Sequence, residues 1–390
     1  MKFLKFSLSP ELNELKRFES LEQSERQIVF YSENKNSMFI FESLINELTN
    51  FHNYNICYVT SSKDEQILME SNKKIKTFFI GEGAARTKFF LNLKADILIM
   101  TMPDLETFHI KRSKVYPVHY VYMFHAMVST HLVYRKNAFD HFDSILCVGE
   151  YQIDEIRSAE KIYNLNQKNL IRCGYSNLDN LIKKYAIKNK EIKMIEKNQI
   201  QVLIAPSWGK NGLLETIIVD VIDILLDSGY KVILRPHPMS VKLSQKKIKF
   251  IEKKFLPNHN FSLELNLPNF DSFLYSDIMI SDWSGVTLEF AFAFEKPVLY
   301  IDVPKKIHNT NFEDIPEIPI EVSIRDRIGK IILPSEINSI PKEIEKLKQK
   351  SFEIKEGIKK IRDSKIFNVG NSEKYAAKHI VELLDKLKNN

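Results

Sequence analysis

The stretch SDWSGVTLEFAFAFEKPVLYID, Ser281 to Asp302, sets polar side chains at a strand-to-helix turn and one carboxylate inside an apolar helix. The preceding apolar run reads as a strand, Ser281 and Asp282 turn the chain, and a helix is expected near Ser284-Gly285. Ser284 is an N-cap candidate, and Gly285 would let a ligand approach the backbone closely. Unpaired first-turn N–H groups carry partial positive charge, so this turn suits a phosphate or diphosphate. Glu289 follows about one turn later and could accept hydrogen bonds from two vicinal hydroxyls, as on a ribose. An ionised carboxylate buried there calls for a polar ligand or a nearby cation. A solvent-facing or lysine-paired Glu289 fits the spacing equally well.

Three more constellations follow strands. In RPHP, Arg235 offers a planar fork for phosphate oxygens, and His237, held between prolines, could donate to the same group. A plain turn with a structural histidine is the competing reading. In APSWGKNG, Ser207 and Trp208 head a loop; the indole could stack on a base, although packing is its commoner use. In MFHAMVSTHLVYRKNAFDHFD, His125 follows a strand, where an imidazole can take a proton from a hydroxyl near neutral pH. Taken alone, His125 reads rather as a structural histidine. His119, His131 and His141 match no zinc spacing, and no acidic pair suggests an obligatory Mg²⁺. No cofactor is called for.

The elements that must position these residues alternate. Apolar strand-like runs such as QIVFYS, NICYVTS and ADILIM, separated by helical patterns, predict strands buried on both faces, hence parallel sheets. A second alternating series begins at QVLIAPSWG. Two Rossmann-like domains are expected, 1–185 and 195–390, with a Lys-rich linker near 183–198. The sheets would face an interdomain cleft at the carboxyl ends of their strands. The C-terminal helix, with Ser372 as N-cap, is a candidate to pack back on the N-terminal domain. The Lys-rich segment Val241 to Phe255 is expected to be one basic helix with a solvated face; contact with an anionic lipid or polyanion is the minority reading.

At 390 residues the chain exceeds one ordinary core, and its net charge of +6 suits anionic substrates or an acidic membrane surface without demanding nucleic acid. Cys57, Cys147 and Cys173 fit neither zinc nor a redox pair and read as reduced thiols. No apolar run approaches a bilayer span, and the start has no signal-peptide core. The expected location is cytoplasmic, free or resting on a membrane surface.

Together the His125 loop, APSW, RPHP and SDWSGVTLEFAFAFEKPVLYID resemble the CDP-glycerol glycerophosphotransferases of teichoic-acid and capsule synthesis, within the GT-B-like group. The resemblance extends over most of the chain. It implies His125 as the base that activates an acceptor hydroxyl. It implies Arg235 and His237 on the donor phosphates, Ser281, Asp282, Ser284 and Gly285 as the donor turn, and Glu289 at the family's acidic position. The residue after the aromatic of APSW, basic in the family, is Gly209 here, with Lys210 next; the His125 loop has Ala126 where the family has Gly. The resemblance implies transfer of glycerol phosphate, or a related polyol phosphate, from a CDP-activated donor to a glycan or lipid-linked acceptor. A nucleotide-sugar glycosyltransferase, a UDP-sugar epimerase-like enzyme and a degenerate binding protein are the alternatives.

Overall fold

The computed structural model describes residues 9–35, 37–69, 72–107, 109–194, 199–265 and 270–389. The chain divides into two compact units. One comprises residues 1–125, 136–177 and 367–390; the other comprises 126–135 and 178–366.

Among the described residues the first unit is built on seven strands: β1 (Ile28–Ser32), β2 (Ile56–Thr60), β3 (Ile75–Phe79), β4 (Ile97–Met100), β5 (His119–Met123), β6 (Ser144–Cys147) and β7 (Asn169–Arg172). Their order is β3-β2-β1-β4-β5-β6-β7, and every neighbouring pair is parallel. The central strands β1, β2 and β4 are buried along their whole length, which is why their sequences run apolar without alternation. Helix Met38–Asn50 buries Phe41, Leu44, Ile45 and Leu48, a helical stripe at i, i+3, i+4 and i+7. Ala376, Ala377, Ile380 and Leu384 of helix Ser372–Asn389 complete the same core. Each fully buried Leu or Ile contributes about 1.5–3 kcal/mol by area removed from water. Helix Pro10–Glu19 starts at a Ser-Pro pair: Ser9 Oγ accepts from the Leu12 amide at 3.4 Å, with Pro10 in the first turn.

The second unit holds β8 (Gln201–Ile204), β9 (Lys231–Leu234), β10 (Phe261–Leu263), β11 (Ile278–Ser281), β12 (Val298–Ile301) and β13 (Gly329–Ile332). The order is β10-β9-β8-β11-β12-β13, again all parallel. The order reverses between β8 and β11, so the loops that leave their carboxyl ends diverge. A crevice opens at such a switch point. The loop after β8 carries Ser207 and Trp208; the turn after β11 carries Asp282, Ser284 and Gly285.

Several elements depart from the sequence reading. The basic segment is two helices, Pro238–Leu243 and Gln245–Phe255, broken at Ser244, whose φ and ψ of −113° and 36° are not helical. The first is started by the N-cap of His237 and Pro238, a signal that the apolar spacing alone concealed. The stretch expected as a linker is helical as far as Met194; residues 195–198 lie outside the described residues. Edge strands β10 (FSL) and β13 (GKII) were not anticipated, because neither has an apolar run to announce it. At Gly329 an added Cβ would lie 1.7 Å from the Val298 carbonyl oxygen, so only glycine lets β13 pair there.

Candidate functional site

Asp282 is the keystone of the second unit's strand-end loops. It is 1% exposed. Its Oδ1 accepts from the Ser207 amide at 2.7 Å and its Oδ2 from the Leu213 amide at 2.9 Å. Ser281 Oγ donates to the Ala205 carbonyl at 2.6 Å. These polar groups, expected to face a donor, are committed to shaping the 205–213 loop.

That loop presents Trp208 to a cluster of bases. The indole lies 6.2 Å from the His237 ring and 5.6 Å from the His308 ring, centroid to centroid. Lys306 Nζ sits 4.0 Å above the indole, in cation–π contact. His237 caps helix Pro238–Leu243: its Nδ1 accepts from the Met239 amide at 3.1 Å. The neutral ring must therefore carry its proton on Nε2, which becomes a hydrogen-bond donor. Burial, helped by the Lys306 charge, pushes the His237 pKa down to about 4, so this neutral form holds at pH 7. Burial likewise pulls Lys306 down to about 8, opposed by the Asp282 carboxylate. His308 is lowered by burial and by Lys306. No carboxylate among the described residues stands within salt-bridge distance of Lys306. A half-buried, unneutralised ammonium beside two neutral imidazoles is built to receive an anion.

The helix after β11, Val286–Phe294, begins behind Gly285, and no side chain caps it. Ser284, the expected cap, instead offers its carbonyl to the Thr287 amide at 3.2 Å and to Thr287 Oγ1 at 2.8 Å. Gly285 is needed for a contact within the protein: an added Cβ would meet Val128 Cγ1 at 2.7 Å. Val128 belongs to the segment after His125, which is tied down here. Ser129 donates its amide to Glu321 Oε1 at 2.8 Å, and Asn309 Nδ2 donates to the His131 carbonyl at 2.9 Å.

Arg235 is not an open fork. It is 7% exposed. Its Nη1 donates to Glu264 Oε1 at 3.0 Å and to Ser272 Oγ at 3.4 Å, and its guanidinium lies 4.8 Å from the Phe273 ring. Burial lowers its pKa, while Glu264 and Glu289 counter that shift. Half-buried Glu289 therefore feels a nearby cation, and RPHP and the Glu289 helix converge in space.

His125, in the first unit, follows β5 and retains solvent-accessible surface. Its carbonyl accepts from Tyr175 OH at 2.8 Å. Crowding by the protein lowers its pKa, and a hydrogen bond with the Thr101 backbone, just past β4, works the other way. His119 sits at the opposite, amino end of β5, bonded to Ser144 Oγ at 2.8 Å. Among the described residues no three His, Cys, Asp or Glu side chains form a metal-holding group.

The sequence reading missed Lys306, His308 and Glu264. The signal for the first two was present in DVPKKIHNT, two lysines and a histidine immediately past a buried strand.

Two parallel sheets of this strand order, with basic loops at a switch point, make a GT-B-like α/β fold. The chain belongs to the CDP-glycerol:poly(glycerophosphate) glycerophosphotransferase family, whose model matches residues 14–307. The fold resembles the wall teichoic acid polymerase TagF in a structure with CDPG, at TM-score 0.61 and 14% identity, covering 97% of this chain and 94% of that one. It also resembles UDP-GlcNAc 2-epimerase from Neisseria meningitidis bound to UDP-GlcNAc, at TM-score 0.59 and 15% identity, over 91% and 100% of the two chains. WaaG, a glycosyltransferase involved in lipopolysaccharide biosynthesis, matches at TM-score 0.51 and 12% identity, over 90% and 99%. No curated protein matches the chain. At these identities the structural likeness defines the fold, and the family match defines a transferase of cell-surface polymer synthesis.

Proposed function

We propose that the protein transfers glycerol phosphate, or a related polyol phosphate, from a CDP-activated donor to a hydroxyl of a glycan or lipid-linked acceptor. The observation that carries this is the unneutralised Lys306 ammonium over Trp208, with the His237 Nε2–H beside it. A diphosphate offers the charge and the acceptors this cluster lacks. Glu289 takes the ribose hydroxyls, and the amide end of helix Val286–Phe294 adds its dipole. Ser207 and Trp208 line the donor, while Arg235, Ser281, Asp282, Ser284 and Gly285 hold its loops in place.

In the reaction, His125 removes the acceptor hydroxyl proton. The acceptor oxygen bonds to the β-phosphorus, the bond from that phosphorus to the bridging oxygen breaks, and CMP leaves with the electron pair. Lys306 and His237 stabilise charge on the departing phosphate, so catalysis is electrostatic and positional. A lipid-linked acceptor would bring the enzyme to an anionic membrane surface. We propose a peripheral contact; among the described residues no helix is long and apolar enough to cross a membrane.

The test is turnover of radiolabelled CDP-glycerol beside a panel of nucleotide sugars, with wild type and His125→Ala, and calorimetry with CDP, UDP and CMP. CDP preference and loss of transfer in His125→Ala are expected. A UDP preference with transfer of sugar would replace this reading by the glycosyltransferase one. Full transfer by folded His125→Ala would remove His125 as base.

A further inference from the structure

Helix Gln245–Phe255 carries five lysines against one glutamate. Its inward side is Ile248, Ile251 and Phe255, all buried. The outward side centres on Phe250, which is 54% exposed, and just before the helix Leu243 is 63% exposed. Lys246, Lys247, Lys253 and Lys254 stand three or four positions from Phe250 and so flank it on both sides. Lys254 is paired with Asp223 at 2.5 Å. Lys246, Lys249 and Lys253 have no carboxylate within salt-bridge distance among the described residues. Phe250, a large apolar side chain in water flanked by ammonium groups of which Lys246 and Lys253 are unpaired among the described residues, makes a surface whose chemistry calls for a partner, with exposed Leu243 close by in sequence.

We infer that this face docks on an anionic lipid bilayer, with Phe250 and Leu243 entering the headgroup boundary and the lysines meeting lipid phosphates. Exposed apolar groups at the centre favour a lipid surface over a soluble polyanion, which would reward the lysines alone. Long lysine stems keep their charges at the headgroup level while the ring goes deeper. The inference deepens the membrane part of the proposed function and rests on it for its purpose. Its test is separable, because lipid binding is read without donor or turnover.

The experiment is co-sedimentation of the full chain with phosphatidylglycerol-containing vesicles and with pure phosphatidylcholine vesicles, at low and high salt. Wild type is expected to bind only the anionic vesicles, and less at high salt. The triple variant Lys246→Gln/Lys249→Gln/Lys253→Gln is expected to weaken binding on the order of 100-fold, about fivefold per lysine. Phe250→Ser is expected to weaken it roughly tenfold. Phe250→Trp supplies a gain of signal: its fluorescence should shift to the blue on anionic vesicles. CDP calorimetry should be the same for all variants, which shows that the fold and the donor site are intact. Binding unchanged in both the triple and Phe250→Ser variants overturns the inference. So does loss in the triple variant alone with full competition by soluble polyphosphate, which would make the face a polyanion site.

Discussion

Replacing Lys306 by methionine separates function from stability at one position. In the folded protein its pKa is about 8, against 10.5 for a free lysine, because burial disfavours the ammonium. The unfolded chain therefore holds this proton more tightly. Below pH 8 both states are protonated and folding bears the full cost of the buried charge; between pH 8 and 10.5 that cost fades as the folded form deprotonates. The shift corresponds to about 3 kcal/mol before discounting, and to about 1–2 kcal/mol once partial solvent screening is allowed for. Lys306→Met should thus raise stability at pH 7 by about 1–2 kcal/mol, and by less near pH 10. The same change removes the charge offered to the donor phosphates. A charge-assisted hydrogen bond contributes about 1.5–3 kcal/mol, so CDP affinity should fall roughly 10- to 100-fold. Denaturant unfolding at several pH values gives the first quantity and calorimetry with CDP the second. Wild-type affinity should itself decline as pH rises through 8, whereas Lys306→Arg should keep its affinity to higher pH. A variant that binds CDP like wild type, or that is less stable at pH 7, would refute the assignment of Lys306 as the anion-binding cation.

Asp282→Asn replaces one of two acceptors of buried amides and should cost about 1–3 kcal/mol in denaturant unfolding. It also removes the carboxylate that supports the Lys306 charge, so the pH at which CDP affinity fails should move down. Gly285→Ala forces a Cβ against Val128 and should cost about 1–3 kcal/mol, with partial recovery in the Val128→Ala double variant if the clash is the cause. His125→Ala should lower kcat by about 10²–10⁴ with CDP affinity retained. Because crowding lowers the His125 pKa, its base form persists below the ordinary histidine range, and the acidic limb of the kcat profile should lie there. A limb above that range would contradict His125 as the titrating base.

Apolar continuity announced the parallel strands, because a strand covered on both faces has no polar positions to interrupt it; β1, β2, β8 and β11 were legible for this reason. Local capping chemistry also stood in the sequence, as at Ser9-Pro10 and at Gly229, whose φ of 80° follows the end of helix Ile218–Asp227. The order and type of the strand-end motifs pointed to a diphosphate site. Side-chain commitment could not be read there. Asp282 and Arg235 look free in sequence, yet one holds two loop amides and the other is paired with Glu264. Gly285 is explained by Val128, which is more than 150 residues earlier in the chain. Lys306 became the central cation only because β12 lies two strands from β8 and brings its loop over Trp208. Local sequence fixes what a backbone segment prefers, since those energies involve near neighbours. Which polar groups remain for a ligand depends on partners that only tertiary packing brings within hydrogen-bond reach.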